Sequence, residues 1–168
     1  MTLSELNQLP DAQLKETLFT CCGSSSWINK LAKIFPVESK EMLFEQSDIS
    51  WFACSESDWR EAFTHHPKIG DINSLREKFA NTKVWAEGEQ SGVSVSSQQV
   101  LEDLSAGNRR YEEKFGYIFI VCATGKSAEE MLEILTARLP NSPEDEILIA
   151  MQEQNKIAKI RLEKLLAS

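Results

Sequence analysis

A chain of 168 residues is the size of one domain and buries enough surface to fold without a disulfide or metal staple. Its composition, 42% hydrophobic and 26% charged, excludes a disordered or collagen-like chain, and no apolar run approaches the ~18 residues of a membrane span. With 26 acidic against 18 basic side chains the formal net charge is -8, and without a basic stripe nucleic acid is excluded as an expected partner. A small anion remains open, because one local arginine outweighs the global field. No basic segment followed by an apolar stretch opens MTLSELNQLPD, and LLAS is no peroxisomal address, so a cytoplasmic location is expected. Cys21, Cys22, Cys54 and Cys122 then read as reduced thiols acting as small apolar residues.

Pro10-Asp11 opens a first segment, with Leu14 and Leu18 one turn apart, that Cys22-Gly23 closes. Ser24 to Ser26 offer a cap for a helix with Trp27, Leu31 and Ile34 on one face, and Pro36 follows its end. A third helix is predicted from about Ser39 to Cys54. Ser57-Asp58 caps a short helix through Trp59 and Phe63, which Pro67 stops near His66, since the residue before proline is pushed out of the α region. Residues 68–95 are the least regular, with a short helical stretch around Asn73–Phe79. A polar helix is predicted from Ser96 or Ser97 to Phe115. YIFIVCA is the one strand-like run; with no partner strand it reads as a buried extended linker. Ser127 caps a helix to Leu139, and a final helix runs from Pro143 to Leu166. The expectation is an all-α fold of about seven to nine helices, 1–168 forming a single compact domain.

Chemistry-bearing residues are few. On the last helix, at about 100° per residue, Ile147, Met151, Ala158 and Leu165 form an apolar stripe that Ala150 and Ile157 extend. Arg161 and Gln154 fall inside it. A charge aimed inward needs a partner or a cleft, so Arg161 is either a structural salt bridge or an anion or carbonyl clamp. His65 and His66 are the only histidines, and proline fixes the backbone after His66. Histidine suits proton transfer near neutrality, though a structural role is the commoner one for an arbitrary histidine. Adjacent histidines do not readily chelate one ion, and no zinc-ligand spacing occurs, so no metal is expected. Glu89-Gln90, inside AEGEQSGV, is either a solvated turn or a carboxylate and carboxamide able to bind a urea or imide edge. No phosphate-binding loop, dinucleotide fingerprint or nucleophile elbow is present.

Together, CCGSSSW (21–27), HHPKIGD (65–71), EGEQSGV (87–93), YEEKFGYIFIVCA (111–123) and KIAKIRL (156–162) resemble the 2-oxo-4-hydroxy-4-carboxy-5-ureidoimidazoline (OHCU) decarboxylases, in the right order over nearly the whole chain. The resemblance implies an all-helical fold and a carboxy-lyase that takes OHCU to (S)-allantoin, the last step of urate degradation. It matches His66 to the catalytic histidine and Pro67 to the pocket wall. Glu89 and Gln90 match the acidic and amide substrate contacts, and Arg161 the arginine facing the substrate. Phe119, Ile120, Val121, Cys122 and Ala123 match a segment whose backbone groups hold the ring. At Ala86 the family commonly has a serine, so one substrate contact is missing. That departure motivates a second reading, a non-catalytic helical binding module for a ureido or hydantoin ligand. The resemblance also implies a homodimer, and no cofactor is expected.

Overall fold

The computed structural model describes residues 1–68, 71–80 and 95–167. Among these the protein is all-α, with nine helices and no strand. They fall into two compact units, Met1–His66 with Ile147–Ser168, and Pro67–Glu146. No helix among the described residues is long and apolar enough to cross a membrane.

The first unit holds α1 (Leu3–Asn7), α2 (Asp11–Phe19), α3 (Ser25–Ala32), α4 (Lys40–Phe52), α5 (Glu56–Thr64) and most of α9 (Pro143–Ala167). Serine side chains start three of them: Ser24, Ser39 and Ser55 accept the N–H groups of Trp27, Met42 and Asp58. The cap of α5 is therefore Ser55, two residues earlier than Ser57-Asp58. Asp58 instead closes a capping box by accepting the Ser55 N–H. The helix ends at Thr64 with His65 as its C-cap, in keeping with the stop that Pro67 imposes. The core is built on Trp27, Trp51, Phe63, Leu18, Leu31 and Leu43. Both indoles bury their ring and still donate: Trp27 Nε1 to the Ser47 carbonyl at 3.3 Å and Trp51 Nε1 to the Met151 carbonyl at 2.8 Å. These bonds tie α3 to α4 and α4 to α9. Truncating either ring would cost about 3–5 kcal/mol.

Along α9 the buried face turns. It begins with Ile147, Ala150, Met151 and Gln154, and passes through Ala158 to Leu162 and Leu166. Arg161 and Leu165 are left half-buried on its flank. The predicted stripe is correct for the first half of the helix and rotates away from Arg161 in the last turns.

The second unit holds α6 (Ile72–Ala80), α7 (Val95–Phe115), α8 (Ala128–Arg138) and the first turn of α9. α7 starts slightly ahead of the predicted Ser96. It packs so closely on α8 that a Cβ at Gly107 would lie 2.6 Å from Leu135 Cδ2. Gly116 ends α7 with φ of 81°, its N–H donating to the Glu112 carbonyl. The chain then runs through Tyr117 to Ala123 without helix or strand, with Ile120, Val121 and Cys122 buried. A capping box of Ser127 and Glu130 starts α8.

Candidate active site

In the first unit, the short segment between α2 and α3 organises the predicted residues. Arg161 Nη1 donates to the Cys21 carbonyl at 3.3 Å. From the other side, Glu61 of α5 accepts from the Ser25 N–H at 2.7 Å and from Ser25 Oγ at 2.9 Å. Gly23, between these anchors, lets the end of α5 come close: a Cβ there would lie 2.6 Å from His65 Cβ. Arg161 and the His65-His66 corner thus adjoin the same three-residue stretch.

The two histidines have different surroundings. The His65 ring meets Phe19 edge-on, with centroids 5.0 Å apart, and its Cβ sits over Gly23, which gives it a packing role. His66 is half-buried beyond the helix, its N–H donating to the Phe63 carbonyl, and Pro67 follows it exposed. The cysteines of this region are poor nucleophiles. Burial pushes the Cys21 thiol up, and that of Cys22 to about 12, against a smaller opposing pull from the Arg161 charge.

In the second unit, two carbonyls of the segment from Phe119 to Ala123 accept from cations. Arg138 Nη1 donates to the Ile120 carbonyl at 2.7 Å, and Lys126 Nζ to the Cys122 carbonyl at 2.8 Å. The Arg138 guanidinium also lies 4.7 Å from the centroid of the Phe119 ring. Its side chain is 7% exposed and Glu146, its partner, 0%. Nε reaches both Glu146 oxygens, Nη2 reaches Oε2 at 2.6 Å, and the Tyr111 hydroxyl donates to the same Oε2. Burial pushes the Tyr111 hydroxyl pKa well up, Glu146 adding to the shift and the Arg138 charge opposing it, so the group stays a donor. Burial alone would lower the Arg138 pKa, but the bonds to Glu146 and the neighbouring groups hold it above the ordinary arginine value.

This cluster is absent from the sequence reading. A signal for it existed: Ala128, Met131, Leu135 and Arg138 recur at helical spacing and all four are buried, so Arg138 sits on the inward face of α8. Taken singly, Arg138 and Glu146 look like charges complementing a helix C-terminus and an N-terminus. The predicted Ala86, Glu89 and Gln90 lie outside the described residues.

The family model of OHCU decarboxylase matches residues 7–163. The uric acid degradation bifunctional protein TTL of Arabidopsis thaliana is 38% identical over 148 residues, 86% of this chain and 45% of that protein. The 2-oxo-4-hydroxy-4-carboxy-5-ureidoimidazoline decarboxylase of Haloferax volcanii is 22% identical over 163 residues, 96% of this chain and 94% of that one. A crystal structure of OHCU decarboxylase in the presence of (S)-allantoin superposes with a TM-score of 0.73 at 35% identity, covering 92% of this chain and 99% of that chain. The chain spans less than half the length of the plant relative and 32% of the bifunctional PucL of Bacillus subtilis. The match from residue 7 to residue 163 takes in sequence from both compact units, and on it the chain belongs to the OHCU decarboxylase family.

Proposed function

We propose that this chain is a carboxy-lyase that converts OHCU to (S)-allantoin in urate degradation. The observation that carries the reading is the family match over residues 7–163, which includes every motif named above. The substrate explains why so little machinery is required. It carries an imine beside the carbon that bears the carboxylate and hydroxyl. When the bond to the carboxylate breaks, carbon dioxide leaves and the electron pair moves into the imine. A proton then creates the stereocentre. The substrate is its own electron sink, so the reaction calls for no pyridoxal phosphate, thiamine or metal.

In this reading His66 accepts or hydrogen-bonds the substrate hydroxyl proton. Glu89 anchors a ring N–H or relays the proton to carbon, and Gln90 reads the ureido or ring amide edge. Pro67 lines the pocket, and backbone N–H groups near Ile120 and Val121 supply fixed donors to a carbonyl oxygen. Arg161 holds either the carboxylate or the charge building on the ring oxygens. Only the second lowers the barrier, since uniform binding of the departing group leaves it unchanged.

The same reading includes a homodimer in the cytoplasm. Ile49 and Phe52 of α4 and Leu148 of α9 are about half exposed and offer apolar surface for such contact. Sedimentation equilibrium measures the dimer. The test of the activity is turnover of freshly generated OHCU with the enantiomeric excess of the allantoin formed. Unaided decay gives racemic product, so excess of one enantiomer reports catalysis, and racemic allantoin at the uncatalysed rate would refute it.

A further inference from the structure

We propose that the buried Tyr111–Arg138–Glu146 cluster is the positioning device for the Phe119–Ala123 segment, setting the affinity of the site without touching substrate. The inference rests on the functional reading above, in which that segment holds the ring.

A buried ion pair is weak evidence for a stabilising role, because well-packed apolar groups of the same volume often serve as well. The inward face of α8, with Ala128, Met131 and Leu135, would accept a leucine at 138 by the same logic. A leucine cannot supply the bond from Arg138 Nη1 to the Ile120 carbonyl at 2.7 Å. The rest of the cluster keeps that guanidinium in one orientation. Glu146 engages Nε and Nη2, leaving Nη1 for Ile120. Asn141 Nδ2 donates to Glu146 Oε1 at 3.2 Å, and Tyr111 occupies Oε2. The faces of Phe119 and Tyr111 lie 4.7 Å and 5.7 Å from the Arg138 guanidinium carbon. Lys126 holds the Cys122 carbonyl in the same manner. Across a planar trans peptide the N–H points opposite to the C=O. Holding the Ile120 and Cys122 carbonyls therefore fixes the direction in which Val121 and Ala123 present their N–H groups.

The test is steady-state kinetics of Arg138→Lys and Tyr111→Phe on freshly generated OHCU, with calorimetric titration of (S)-allantoin and circular dichroism melts. Lysine keeps the charge and loses the planar fork. Folded Arg138→Lys should show KM raised about tenfold, (S)-allantoin affinity lowered by a similar factor, and kcat within about threefold, because the segment contacts ground and transition state alike. Tyr111→Phe keeps the ring and the guanidinium and should raise KM by about two- to threefold. A folded Arg138→Lys with wild-type KM and product affinity overturns the inference. Should the lysine variant not fold, unchanged KM and affinity in Tyr111→Phe overturn it equally. Wild-type protein that yields only racemic allantoin ends the functional reading itself. Turnover that is lost in His66→Ala yet indifferent to Arg138 and Tyr111 removes this inference alone.

Discussion

Gly23→Ala tests whether the segment between α2 and α3 sets the position of His66. The new methyl would stand 2.6 Å from His65 Cβ and 2.9 Å from its Cγ. Carbon pairs rest at about 3.5–4.0 Å, so the two backbones must part by roughly 1 Å. The obstacle is a Cβ fixed to the C-cap of α5, which no rotamer change removes. Nor can the segment slide freely, because Ser25 is bonded to Glu61 on the same helix. Overpacking of this kind costs about 1–3 kcal/mol. At about 2–4 °C per kcal/mol, Tm should fall by about 2–12 °C. His66 is the next residue along, and a displacement near 1 Å costs about 10²-fold in rate. The assays are a thermal melt and chiral allantoin formation. His65→Ala should not rescue the variant, since the nearest contact is the Cβ that alanine keeps, whereas His65→Gly should restore most of the rate. Wild-type Tm and turnover in Gly23→Ala, or rescue by His65→Ala, would refute the reasoning.

His66→Ala should remove nearly all turnover with helix content unchanged. His65→Ala should keep turnover but lose the edge-on contact with Phe19, worth about 0.5–1.5 kcal/mol, and equal loss of activity at both positions would contradict the assignment. Arg161→Lys should lower kcat/KM at least about tenfold, or about 1.4 kcal/mol, and wild-type efficiency there would make Arg161 a structural residue. Protein treated with a strong chelator and dialysed should keep full activity, and recovery only on adding a metal would overturn the self-contained electron sink. Ala86→Ser should raise kcat/KM by up to about tenfold, chiefly through KM, by supplying one neutral hydrogen bond; lower efficiency would show that the position is closely packed.

What the sequence discloses follows the range of the interaction that decides it. Ser24, Ser39 and Ser127 cap helices through bonds three residues long, and those starts were legible. The lone apolar run at 117–123 was legible as a linker because no second run could pair with it. Partners far apart in sequence were not. Tyr111 and Glu146 are 35 residues apart; the packing of α7 on α8 brings Tyr111 to the Arg138 guanidinium, and the first turn of α9 brings Glu146. The place of Arg161 on α9 depended on where the buried face turns, which is a property of the neighbouring helices. Nothing local distinguished His65 from His66 except the following proline. The difference lies in Phe19 and Gly23, more than forty residues earlier.

The residues divide by burial in a way that suits their proposed work. His66 and Arg161 are half-buried, as groups that meet a substrate and solvent in turn must be. Arg138 and Glu146 are buried and bonded to each other, to Tyr111 and to the backbone. The charge of Arg138 is held above its ordinary pKa, and the Tyr111 hydroxyl, raised by burial and by Glu146, stays protonated in the folded state. A group whose pKa is raised by folding contributes stability that is fully present below its unfolded value and fades as pH climbs past it. For a tyrosine that value is about 10, so neither group changes state near neutrality and the cluster's geometry is constant there. The Tyr111 contribution to stability should decline only in strongly alkaline solution. The alkaline side of the stability profile is then expected to begin with the buried thiols of Cys21 and Cys22, raised by burial from an unfolded value of about 8.5, and to steepen where Tyr111 joins them above about pH 10, which thermal melts across that range measure.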